Sequence, residues 1–168
     1  MVGRKKEIKE LERLYNSNKA ELVAIYGRRR VGKTYLVSNV FKGKFFFRHS
    51  GLSPKEDGNN GQLRKQLIHF YESLIDYGME NIDVPKDWFE AFSILKKFIR
   101  NNDTGNRIVI FFDELPWMAS KGSDFIQAFE GFWNSFGSTY DNLMIIVCGS
   151  ATSWMENNLI NNQGGTIW

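Results

Sequence analysis

Two kinds of apolar pattern alternate along this chain. Ile8, Leu11, Leu14 and Tyr15 recur at helical intervals, which predicts an amphipathic helix over residues 4–17 or so, ended by Asn16, Ser17 and Asn18. The stretch ELVAIY (21–26) is instead short and continuously apolar, the pattern of a strand covered on both faces. A helix is expected from Lys33 to about Phe41, and a strand over KFFFRH (44–49). SPKEDGNNG (53–61) has loop chemistry throughout. Helical spacing returns in Leu63, Leu67, Phe70, Tyr71, Leu74 and Ile75. It returns again in Trp88, Ala91, Phe92, Leu95, Phe98 and Ile99, after an Asp87/Glu90 cap. RIVIFFD (107–113) reads as a strand and Phe125, Phe129, Phe132 and Phe136 as one face of a helix. NLMIIVCGS (142–150) is a further strand, with a short helix after it.

Strands apolar throughout and separated by helices imply an α/β fold: a parallel sheet covered by helices on both sides. The phenylalanine face at 125–136 keeps one helical stripe and is read as core packing, not as a binding surface. No internal repeat or long linker divides the chain, so residues 1–168 read as a single domain.

Composition narrows the function class. At 42% apolar and 15% aromatic residues the chain can bury a real core, which excludes a disordered or low-complexity reading. A net charge of +3, from 22 basic and 19 acidic residues, is too mild to imply nucleic acid or an anionic membrane without a local patch. One cysteine excludes an internal disulfide framework, and two histidines argue against a zinc site. The basic N-terminus lacks the apolar core of a signal peptide, and the apolar runs are too short to span a bilayer. The expectation is a cytoplasmic domain with no membrane partner.

Gly27, Arg28, Arg29, Arg30, Val31, Gly32, Lys33 and Thr34 satisfy G-x-x-x-x-G-K-[ST] at every specified position. Average composition gives such a match by chance in about 0.5% of chains this long. A strand precedes it and a helix follows, as phosphate binding requires. Gly27 and Gly32 allow backbone geometry that a Cβ would block, so successive N–H groups can turn toward phosphate. The positive end of the next helix lies beneath them. Lys33 would reach the β- and γ-phosphates of a nucleotide and the Thr34 hydroxyl would ligate Mg²⁺, with Tyr35 next on the helix.

A second motif fits the first. The strand IVIFF ends in Asp113-Glu114, the form of a Walker B motif. Asp113 would hold the water shell of Mg²⁺ from the strand's C-terminal end. Glu114 could polarise water for in-line attack, which favours hydrolysis over transfer to another substrate. Ser150, after the last strand, is a candidate γ-phosphate sensor, although helix capping by Ser150 or Thr152 is equally good chemistry. Lys33, Glu114 and Ser150 are thus the catalytic candidates. His49 is assigned no role, and Cys148 reads as a small buried hydrophobe.

VGRKKEIKELERLYNSNKAELVAIYGRRRVGKTYLV, FFDELPWM and CGSATSWM together resemble the archaeal and bacterial ATPase family in the AAA+/STAND group of P-loop NTPases. The likeness runs in order from Val2 to about Asn162. It implies a three-layer P-loop NTPase core with sheet order 5-1-4-3-2, and ATP with Mg²⁺ as ligands. It also implies that backbone near Val2, Gly3 and Arg4 lies beside the adenine. Members usually continue through a fifth strand, a helical lid, a winged helix and often a nuclease-like domain. The chain stops at NNLINNQGGTIW, so it is expected to lack the fifth strand and lid, leaving strand 21–26 as a sheet edge or covered by a neighbouring chain.

Three functions follow as alternatives. The first is hydrolysis of Mg²⁺-ATP, used as a switch or motor for an effector region. The second is a nucleotide-binding module with negligible catalysis. The third is nucleic-acid association through Arg28–Arg30, Lys42, Lys44 and Arg48 around Phe45–Phe47. Phosphate capture needs no arginine side chain, so at least two of Arg28, Arg29 and Arg30 are expected to face solvent or a partner.

Overall fold

In a computed structural model, the structure describes residues 4–53, 62–160 and 166–167. Helix α1 (Lys5–Tyr15) leads into strand β1 (Glu21–Tyr26) and helix α2 (Lys33–Val40). Strand β2 (Phe45–Ser50) is followed by α3 (Gln62–Asp76) and α4 (Trp88–Asn101). The expected Asp87 cap forms, its carboxylate accepting from the backbone N–H of Glu90 at 2.8 Å. Strand β3 (Ile108–Asp113) runs into a single-turn helix, α5 (Leu115–Met118), and then α6 (Phe125–Ser135). Strand β4 (Leu143–Gly149) ends at α7 (Thr152–Met155), which continues as a π-type turn over Glu156–Ile160.

All strands pair in parallel, in the order β2-β3-β4-β1-β5, where β5 is Thr166–Ile167. Read from the other edge, this is the order the family resemblance implied. Strict alternation divides β1, β3 and β4 between two cores. Val23, Ile25, Val109, Phe111, Met144, Ile146 and Cys148 face α1 and α2. Leu22, Ala24, Ile108, Ile110, Phe112, Leu143, Ile145 and Val147 face the larger layer of α3, α4 and α6. Burial on both faces explains why these strands read as unbroken apolar runs rather than alternating ones. The phenylalanine stripe is core: Phe125, Phe129, Phe132 and Phe136 are all buried, and Phe92 packs against the first three.

One expectation is corrected. The chain does not lack a fifth strand: Thr166 and Ile167 pair with Val23 and Ala24 on the side of β1 away from β4. The bare N–H and C=O groups along that side of β1 are unsatisfied until another strand supplies partners, and the returning chain reaches them. The cover is short, because β5 pairs with only those two residues. The expected loop at 53–61 lies, from residue 54 onward, outside the described residues.

Candidate active site

The carboxyl ends of β1, β3 and β4 converge on one cleft. From β1 the chain enters the loop 27–32, in which Gly32 has φ 86°, left-handed backbone that suits glycine, directly before the first residue of α2. Lys33, at that first position, is 8% exposed. Its amine donates to the carbonyls of Gly27 and Arg28, each at 2.7 Å, and so closes the loop on itself. Thr34 follows on the same turn, its hydroxyl donating to Asp113 Oδ2 at 2.8 Å. That single hydrogen bond joins the two sequence motifs across the sheet.

Asp113 is buried, with its other oxygen, Oδ1, accepting from the N–H of Glu114 at 3.0 Å. Glu114 itself adopts left-handed backbone, φ 49° and ψ 51°, uncommon for a residue with a side chain. Its carboxylate accepts from the Ser150 hydroxyl at 3.3 and 3.5 Å. Ala151, not Ser150, stands at the cap position of α7, and that helix has no side-chain cap. The capping reading is therefore not what forms at Ser150, whose hydroxyl meets Glu114 instead. Gly149 brings β4 close to α5: a Cβ there would stand 2.7 Å from Met155 Sδ and 2.8 Å from Pro116 Cδ.

Arg29, Arg30, Gly32, Lys33, Thr34, Tyr35, Glu114 and Trp117 line a cleft of about 420 Å³. A larger hollow of about 560 Å³, lined by residues such as Asn16, Lys44 and Arg107, lies at the opposite end of the strands. Ligands of open α/β sheets bind outside the carboxyl ends of the strands, which makes the smaller cleft the candidate site. Arg28, Arg29 and Arg30 are all exposed, as expected for at least two of them. Arg29 lies over the Trp117 ring, 5.3 Å from its centroid. Tyr35 is 64% exposed. Arg4 reaches the loop, donating to Val31 O at 2.5 Å, while Val2 and Gly3 lie outside the described residues.

The donor chemistry suits a hard cation. A Thr34 hydroxyl against an Asp113 carboxylate offers two oxygens, the small protein share that Mg²⁺ takes when phosphates and water fill its other positions. Among the described residues no cluster of three or more His, Cys, Asp or Glu forms, which fits no all-protein metal cage. Cys148 is buried, and burial together with the neighbouring Asp113 charge pushes its thiol well up, which disfavours the thiolate. His49 is also buried, with Nδ1 on Ser73 Oγ at 2.7 Å; burial, helped by His69, lowers its pKa to about 3 and keeps it neutral.

The stacking surface considered around Phe45–Phe47 is occupied by the protein itself. Phe47 is fully buried, Phe46 packs on Phe98, and Arg48 lies over Phe45 and Phe111. Three contributors near the cleft were not singled out from sequence: Gly51, Gln66 and Trp117. The available signal was a glutamine at position 66, buried one turn before Phe70 on a helix otherwise chosen by its apolar face.

Residues 1–167 match a family described as an ATPase domain predominantly from Archaea. The chain belongs to that family. This ATPase domain is 54% identical over 43 residues to an uncharacterized ATP-binding protein of Methanocaldococcus jannaschii, covering 26% of the chain and 73% of that relative. It is 27% identical over 154 residues to an uncharacterized protein of the same organism, covering 92% of the chain but 30% of the relative. Among solved structures it resembles the Walker-type ATPase of Pyrococcus abyssi, with TM-score 0.59 and 20% identity, covering 98% of the chain and 50% of the other. Cdc6p from Pyrobaculum aerophilum gives TM-score 0.60 and 12% identity, covering 99% and 45% respectively. These likenesses support the P-loop ATPase fold. The domain spans half or less of both solved chains. No helix among the described residues is long and apolar enough to cross a membrane.

Proposed function

We propose that the cleft binds Mg²⁺-ATP and hydrolyses it, and that the cycle serves as a switch or motor for a region outside this domain. The observation that carries this reading is the unbroken line Thr34–Asp113–Glu114–Ser150, which runs beside Lys33 at the start of α2. The backbone N–H groups of the loop and of the first turn of α2 would cradle the phosphates. Lys33 would exchange the carbonyls of Gly27 and Arg28 for β- and γ-phosphate oxygens, a stronger, charge-assisted pairing. Thr34 and Asp113 would hold Mg²⁺ between them, its charge offsetting that of the phosphate oxygens.

Glu114 would orient a water molecule in line with the γ-phosphorus and accept its proton as the oxygen attacks. The bond to the ADP oxygen breaks, and the proton ends on the released phosphate. Ser150 would hold the carboxylate in place and register the change when the phosphate leaves. The lengths of the solved relatives support an effector region beyond the domain.

The test is calorimetry with ATP alongside a phosphate-release assay on the full-length protein, with Mg²⁺ or with a chelator. Mg²⁺-dependent release is expected. Tight binding with no release under any condition would establish a nucleotide-binding module instead.

Arg29 gives a sharper check on the loop. It is exposed and, among the described residues, lies against the face of Trp117, so its share in affinity is long-range attraction for a tetra-anion. Arg29→Ala is expected to weaken ATP binding by less than about fivefold, a loss that shrinks at high salt. A loss as large as that of Lys33→Ala would give the arginine a direct phosphate contact.

A further inference from the structure

Gln66 lies on α3, outside the line of residues just described, and is 1% exposed. Its amide joins two distant backbone segments. Oε1 accepts from Leu52 N at 3.1 Å, and Nε2 donates to Leu52 O at 2.9 Å and to Trp117 O at 3.1 Å. Trp117, which lines the cleft, is thus held by a side chain that does not itself line it.

The same segments meet again at Gly51. Its N–H donates to Asp113 O at 3.0 Å, extending the β2–β3 ladder by one step past Ser50. A Cβ on Gly51 would stand 2.7 Å from Glu114 O and 3.0 Å from Trp117 Cβ, so only glycine allows this approach. Glu114 O in turn accepts from Trp117 N at 3.1 Å, closing the turn of α5. Left-handed backbone at a residue with a side chain persists only where its surroundings over-determine it. Here those surroundings are Gly51 on one side and the Gln66–Trp117 bond on the other.

We propose that Gln66 is a positioning residue for Glu114: it splints the Gly51–Leu52 backbone to α5 and so fixes the turn that directs the Glu114 carboxylate to Ser150 and the cleft. The inference rests on Glu114 acting on water, as proposed above. The demand on the side chain is specific. Two carbonyls and one N–H face it, and at this reach a primary amide supplies the matching two donors and one acceptor. Glutamate would set a carboxylate against two carbonyl oxygens. Methionine would fill similar space and hold neither segment.

The experiment compares Gln66→Met, Glu114→Gln and the double variant in the full-length protein, by ATP calorimetry and by single-turnover hydrolysis per bound nucleotide. Gln66→Met is expected to keep the stoichiometry and bind within about threefold of the parent. Its hydrolysis should fall at least about tenfold, the scale of a small misplacement of a reacting group. In the Glu114→Gln background the same change should cost nothing further, since the residue it positions is already disabled. A general loosening of the fold would instead lower the fraction of chains that bind. Should Gln66→Met fail to fold, Gly51→Ala carries the test, with the same split between binding and turnover. Parental turnover in Gln66→Met, or losses that multiply in the double variant, would overturn the proposal alone. Normal turnover in Glu114→Gln would overturn the functional reading beneath it.

Discussion

Lys33→Ala is expected to remove detectable ATP binding in a calorimetric titration. The amine is the one cation of the loop held under cover, 8% exposed, and it already sits within hydrogen-bond reach of two loop carbonyls. A phosphate oxygen entering the loop finds it oriented. Charge-assisted hydrogen bonds contribute about 1.5–3 kcal/mol each, so loss of contacts to two phosphates weakens binding by roughly 100-fold or more. The fold should survive the change. Deleting the lysine leaves two carbonyls at the edge of a solvent-open loop and strands no buried charge, so thermal unfolding should move by only a few degrees. Three exposed arginines remain on the same loop, and the variant therefore also measures what positive potential alone can do. If Lys33→Ala binds ATP within a few-fold of the parent while staying folded, the phosphate loop has been misassigned.

The contrast between Lys33 and its arginine neighbours was legible before the structure, because the motif fixes which positions face a phosphate. The fold was legible for a related reason. Strands buried on both faces carry charged residues only at their ends, Glu21 and Asp113, and the alternation that divides β1, β3 and β4 between two cores lies hidden inside runs that are otherwise apolar. Helices α4 and α6 announced themselves by stripes of large aromatic residues that could only be core. The fifth strand was not legible. Two residues after a polar stretch carry no periodicity, and only the unsatisfied side of β1 gives them a reason to pair. Helix α5 escaped too, since four residues are too few for a helical pattern, and a proline within its first turn marks a start only once the position of Glu114 is known.

The site divides along the same line. Lys33, Thr34, Asp113 and Glu114 were assigned from local motifs, and the structure brings them together around one cleft. Ser150 stood open between two roles that the sequence could not separate, since a hydroxyl after a strand suits both. Gln66 and Gly51 belong to the site only through backbone atoms of other segments. No pattern of side chains along a chain encodes that kind of contact, which is why a buried glutamine was its sole trace.

Glu114→Gln is expected to keep nucleotide binding and lose hydrolysis. The substitution is close to isosteric: the amide oxygen can still accept from Ser150, and any side chain at this position inherits the same left-handed backbone. What disappears is the negative charge and the capacity to take a proton. Removing a carboxylate that faces a tetra-anionic ligand lowers repulsion, so affinity should hold or tighten by a small factor. Turnover should fall by about 10²–10⁴, the usual contribution of a positioned general base. Asp113 provides the control, because it meets Thr34 rather than Ser150. Asp113→Asn should weaken the Mg²⁺ dependence of binding itself, whereas Glu114→Gln should leave that dependence intact. Phosphate release at the parental rate from Glu114→Gln would sink the assignment, and the activating group would then have to come from outside this domain. The two residues are neighbours in sequence, the Glu114 backbone N–H donating to Asp113 Oδ1 at 3.0 Å, yet their carboxylates meet different partners, Thr34 and Ser150, and on the proposed reading that difference would separate holding a cation from activating water.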